Sequence, residues 1–159
     1  MSRIARRSVL AAAFWLAACV VQNQDLPPFG AAESGLPPPA PGLTRLYFYR
    51  LLEPYEFPTG TIVYLNGRAV GYARNGAVMY RDVPPGTYDV SVLSRGAYPY
   101  QFATLTVASD QVWYIRIESL LSQSCGGSRE NCAGEVFTVR LVDPARARLE
   151  IAPLGFDRG

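Results

Sequence analysis

From residue 43 to residue 143 the chain alternates short runs of β-branched and aromatic residues with tight-turn pairs, and this punctuation constrains the fold more than any other feature. "TIVYL" and "AVGYA" flank Asn66-Gly67-Arg68. An Asn-Gly pair between two such runs is the strongest short-range hairpin signal, because both residues accept the positive φ of a type I′ turn. A second pair, Asn75-Gly76, leads into "AVMYRDV". Pro84-Pro85-Gly86 then reads as a turn, with proline at fixed φ and glycine at positive φ, before "TYDVSVLS". "LTRLYFYRL" ahead of these runs, and "QFATLTVA", "VWYIRIESLL" and "EVFTVRLVD" after them, bring the expected strands to eight. Helical spacing is confined to residues 144–149, where Asp143 is placed to cap and Pro144 to occupy the first position. Many short strands at such spacing argue for an all-β sandwich or barrel. Alternation puts Leu46, Phe48, Val63, Leu65, Tyr88, Val90, Val92, Ile115, Ile117, Val139 and Leu141 inside. Trp113 is placed on the buried face with Ile115, so that Arg116 and Glu118 face water.

The N-terminus reads as an export signal. Arg3, Arg6 and Arg7 precede the apolar run "SVLAAAFWLAAC", which ends on Cys19. The run is shorter than the roughly 20 apolar residues a bilayer span needs. Leu16-Ala17-Ala18-Cys19 resembles a bacterial lipobox. That resemblance implies cleavage before Cys19, lipid on its thiol and acylation of the new amino group; the alternative is an ordinary secreted protein with a cysteine at that place. Several acyl chains together make a stable anchor, since one alone is marginal. Val20, where an Asp would mark inner-membrane retention in such lipoproteins, implies the outer membrane. Residues 1–18 are then the signal, 19–42 the lipidated cysteine and tether, and 43–159 the β-domain. Residues 20–42 contain six prolines with Gly, Ala and Ser, a composition expected to stay extended as a semi-rigid spacer.

The formal charge of +2 depends on the signal: removing Arg3, Arg6 and Arg7 from 15 basic side chains leaves 12 against 13 acidic ones. The mature chain carries no basic footprint for nucleic acid. Histidine and lysine are both absent, which excludes His-based triads, His-containing metal sites and a lysine acting as base for serine. No cofactor motif is present; the glycines of "GRAVGYARNG" flank strands rather than opening a helix. With Cys19 assigned to lipid, Cys125 and Cys132 in "CGGSRENC" read as a structural disulfide in an oxidising compartment. Closing that loop contributes about 2.5 kcal/mol in the chain-entropy model. Six intervening residues are unlike a redox pair, and two thiolates alone make a poor zinc site. Glu53 and Glu56 form a weak glycosidase-type pair, against the plainer reading of a solvated loop.

"TRLYFYR", "VYLNGRAVGYARNGAVMYRDVPPGTYDVSV" and "VWYIRIE" resemble bacterial lipoproteins carrying domain of unknown function 2846, and also PEGA-type surface β-domains. The resemblance covers residues 44 to about 150. It implies an antiparallel β-sandwich of transthyretin-like or carbohydrate-binding-like type, lipid-anchored and without catalytic residues.

Alternating strand directions would gather loops 52–60, 74–76, 95–100 and 122–134 at one end of the domain. Tyr55, Phe57, Arg74, Asn75, Tyr98, Tyr100, Arg129 and Glu130 would meet there, opposite the entry of the chain at Leu43. Loops on a rigid scaffold carry binding sites, and Tyr and Arg are enriched at interaction hot spots. The plainer reading is that these rings cap the core. Two roles follow: a membrane-tethered binding or adaptor module for an envelope protein or a glycan, with that face held above the membrane, or a purely structural spacer.

Overall fold

The computed structural model describes residues 25–53, 60–94, 101–120 and 136–158. Two sheets face one another. In chain order the strands are β1 (Thr44–Tyr49), β2 (Thr61–Leu65), β3 (Arg68–Ala73), β4 (Ala77–Val83), β5 (Gly86–Val92), β6 (Phe102–Val107), β7 (Val112–Ser119), β8 (Phe137–Val142) and β9 (Gly155–Phe156). The first sheet has the order β8-β7-β1-β4-β9, the second β3-β2-β5-β6. The fold is a β-sandwich, as the strand spacing predicts. It is not purely antiparallel, since β1 runs parallel to β7 and β4 parallel to β9. β9 is an addition to the eight expected strands.

Local chemistry sets the turns. Asn66 (φ 49°) and Gly67 (φ 74°) make the expected hairpin, and the Asn66 side chain also accepts from the Asp89 amide at 2.8 Å. Gly86 departs from expectation: it opens β5 opposite Val107, without the positive φ assigned to it. Helix α1 spans Phe29–Ala32 and is followed by a 3-10 turn, Glu33–Gly35. Helix α2 spans Pro144–Ile151, two residues longer than expected, and the Asp143 carboxylate accepts from the amides of Ala145 and Arg146.

Two cores result. Between the sheets lie Leu46, Phe48, Val63, Leu65, Met79, Val90, Val92, Leu105, Ile115, Ile117, Phe137 and Val139, much as alternation foretold. Tyr88 and Trp113 are only partly buried at its margin. Leu141 is a correction: it is 40% exposed, because it sits near the end of edge strand β8. The second core covers the outer face of the first sheet, where Phe29, Ala147, Ile151 and Leu154 pack on Tyr47, Tyr49, Val78, Tyr114 and Phe156. All of β1 is therefore buried, on both faces. Arg116 is a second correction. It lies on that outer face under α2, is buried rather than in water, and pairs with Glu118 and, at 2.9 Å, with Glu150; Glu118 itself is half-buried.

The expected spacer is a third. Residues 27–36 lie against the body instead of extending from it. Phe29 is 1% exposed, its ring edge-on to Tyr47 at 5.4 Å. The Phe29 amide donates to Leu154 O at 2.7 Å, the Gly30 amide to Ala152 O at 3.0 Å, and the Phe156 amide to Pro27 O at 2.7 Å. One buried aromatic with three backbone bonds outweighs the extended preference of the surrounding prolines.

Candidate functional site

Strand directions locate the loop end. In the first sheet β1 and β7 run one way and β4 and β8 the other; in the second, β3 and β5 run against β2 and β6. The two sheets are tied at matching ends, because the Phe137 amide at the start of β8 donates to Ser94 Oγ, just past β5, at 2.9 Å. The odd-numbered strands β1, β3, β5 and β7 therefore all deliver their chains to one end. The stems of the connections 50–60, 74–76, 93–101 and 120–136 converge there, as alternation predicts.

Each stem is fastened. The Asn75 carboxamide, 7% exposed, accepts from the Glu53 amide at 2.9 Å and donates to the Glu53 carbonyl at 2.8 Å. It thereby joins the β3–β4 turn to the chain leaving β1. Arg50 is buried, with its guanidinium 4.9 Å above the Phe137 ring and 3.8 Å from the Glu53 carboxylate. Tyr72 OH accepts from the Gly60 amide at 2.8 Å. Ser94 Oγ also accepts from Gln101 Nε2 at 2.9 Å, closing the stem of 93–101, and the Leu120 amide donates to Val136 O at 2.9 Å. These contacts make a rigid platform from which loops project.

Of the residues expected at this end, Arg74 and Asn75 are present. Arg74 is half exposed and pairs with Asp157 at 3.2 Å, while Asn75 serves the scaffold. Tyr55, Phe57, Tyr98, Tyr100, Arg129 and Glu130 lie outside the described residues, as do Glu56, Cys19 and the Cys125–Cys132 pair.

The entry of the chain is a further correction. β1 does begin at the turn end, where the Gly42 amide donates to Asp110 Oδ1 at 3.0 Å. The segment before it, however, starts at the loop end. Leu26 packs on Gly155, where an added Cβ would meet Leu26 Cβ at 2.9 Å, and the Gly155 amide donates to Gly76 O at 2.9 Å. The chain therefore enters beside the β3–β4 turn, crosses the first sheet as α1 and the 3-10 turn, and only then reaches β1.

Sequence reasoning missed two surface features. A groove of about 500 Å³ opens at the turn end between Gln111, Val112, Trp113, Leu141, Val142 and Pro144. An apolar row crosses the outer face of the second sheet near the loop end: Tyr72 pairs with Ile62, the Leu93 amide donates to Ile62 O at 2.9 Å, and Phe102 pairs with Ser91 next to it. The signal was available. Ile62, Tyr72, Leu93 and Phe102 are apolar at outward-facing positions, where alternation calls for polar residues.

Perturbed titrations belong to packing. Burial pushes the Tyr47 and Tyr49 hydroxyls above their ordinary range, and Tyr49 donates to Glu150 at 2.7 Å. Burial works against the Glu150 carboxylate, yet hydrogen bonds from Tyr49, Arg146 and Arg116 hold it below its usual value. Arg45 is held protonated by its two-pronged bond to Asp82, at 2.7 and 2.8 Å, and lies 4.0 Å over the Tyr80 ring. All these partners are mutual, so the cluster stabilises the outer face of the first sheet. Among the described residues, no group of three Cys, Asp or Glu side chains is placed to hold a metal ion, and no helix is long and apolar enough to cross a membrane.

Comparison of the chain with models of known protein families finds no match, and comparison with curated proteins finds none either.

Proposed function

We propose that this chain is a lipid-anchored lipoprotein of the bacterial envelope, outer membrane by preference, whose sandwich is a non-catalytic binding or adaptor module for an envelope protein or a glycan. The observation that carries the reading is the convergence of four fastened loop stems on one end of a doubly packed scaffold. Variable loops on such a platform bind without disturbing the core beneath. Cys19 carries the lipid, and Cys125 and Cys132 form a disulfide that constrains the longest of the four connections. Neither nucleic acid nor a cofactor is part of this function. The docking of residues 27–36 leaves only about six residues, about 20 Å at full extension, between Cys19 and the body.

A photo-crosslinking residue in place of Arg74, compared with one in place of Asp89 on the opposite half of the second sheet, tests the module reading in intact cells. Discrete crosslinked species from position 74 and none from position 89 are expected. Equal labelling, or none, would leave the loop end without a binding role. Loss of membrane fractionation and accumulation of precursor in Cys19→Ser test the anchor separately.

A further inference from the structure

The outer face of the second sheet changes character along its strands. At the loop end it presents Tyr72, Leu93 and Phe102 at 46%, 56% and 68% exposure around half-buried Ile62. Toward the turn end the same face is polar: Thr104 Oγ1 donates to Asp89 Oδ1 at 2.7 Å, Thr87 and Thr106 share a bond at 3.1 Å, and Asn66 follows. Both described helices lie on the other sheet, so no described element covers this one. Leu93 and Phe102 are the most exposed side chains of the row.

The path of the leading chain says what lies against it. Leu26 leaves the body beside Gly155 and Gly76, and Asp157 next to it pairs with Arg74, so the exit is at the loop end. Given the anchor reading above, on which this inference rests, the acylated Cys19 is about 20 Å or less from that exit. A six-residue strand is itself about 20 Å long. Bringing the turn end to the bilayer would therefore consume the whole linker stretched along the side of the domain, whereas the loop end reaches it with slack. We propose that the loop end is apposed to the bilayer and that the row Ile62, Tyr72, Leu93 and Phe102 is its lipid contact. Aromatic and aliphatic side chains of this kind settle at the headgroup–acyl boundary. A binding partner at the loop end is then one held at the membrane surface.

The test uses the acylated full-length mature protein in vesicles of phosphatidylethanolamine and phosphatidylglycerol containing a lipid brominated on its acyl chains. Trp113, at the turn end, is the native reporter of the far side, since Trp15 belongs to the signal. A Phe102→Trp, Trp113→Phe protein reports the proposed contact; its thermal midpoint is compared with the parent's to establish that it is folded. Expected is several-fold stronger quenching of the position-102 reporter than of Trp113 in the unaltered chain. Equal quenching, or stronger quenching of Trp113, in protein that floats with the vesicles overturns the orientation and leaves the anchor standing. Protein that carries no acyl mass and does not float overturns the anchor and this proposal with it. A position-102 reporter that is unquenched in vesicles but buried in native envelopes replaces lipid with a protein partner, which also overturns the proposal.

Discussion

Removing the Phe29 ring is the sharpest test of how the leading segment is held. Phe29 is 1% exposed and meets Tyr47 at 5.4 Å and Phe156 at 5.8 Å, both edge-on. Phe→Ala substitutions at buried sites cost about 3–5 kcal/mol, a range that already includes the aromatic pair terms. The lower bound applies here, because α1 is a single turn and its surroundings can relax into the vacated space. About 3 kcal/mol corresponds to a roughly hundredfold change in an opening equilibrium. Three amides report that opening directly: those of Phe29, Gly30 and Phe156, which bond across the contact. In Phe29→Ala their hydrogen exchange should quicken by about that factor. If residues 27–36 open alone, amides of the inter-sheet core such as Val63 and Val92 keep their protection; if the segment is cooperative with the body, they lose it equally. Unchanged exchange at all three amides, together with an unchanged denaturation midpoint, would refute the claim that Phe29 anchors the segment.

Asn75→Ala removes both bonds to the Glu53 backbone and is expected to lower unfolding stability by about 1–3 kcal/mol, measured by urea denaturation. Arg45→Lys keeps the charge but loses the two-pronged bond to Asp82 and the stacking on Tyr80, for an expected loss of about 1.5–3 kcal/mol by the same assay. Because the folded state holds the Glu150 carboxyl below its ordinary value, the stabilisation it supplies is complete above that ordinary value and fades as pH falls through the folded one. Glu150→Gln should therefore be less stable than the parent at neutral pH, with a shallower loss on acidification below about pH 4.5. Thiol titration of exported, non-reduced protein should find no free thiol at Cys125 and Cys132; two free thiols would remove the disulfide from the proposed function.

Local rules carried far in this chain, and their reach ends at a definite place. The Asn66-Gly67 turn, the Asp143 cap and the inward set Leu46, Phe48, Val63, Val90, Ile115 and Ile117 were legible because each depends on neighbours within a few residues. Alternation states which side chains share a face. It does not state what covers the other face. Alternation therefore places Arg116 in water, whereas α2, arriving later in the chain, covers it and pairs it with Glu150. The same gap hid the apolar row on the second sheet, whose outward positions nothing in the described fold covers. The Pro-rich stretch is the converse case. Composition averages over the stretch, while its fate turned on Phe29 finding a slot between Tyr47 and Phe156, a contact spanning more than 100 residues. The convergence of the loops is legible from strand alternation, since strand direction alternates from β1 to β8. Which end the leading chain departs from was decided only by tertiary packing, through Leu26 on Gly155 and the Gly155 amide on Gly76, because no local preference links residue 26 to residue 155.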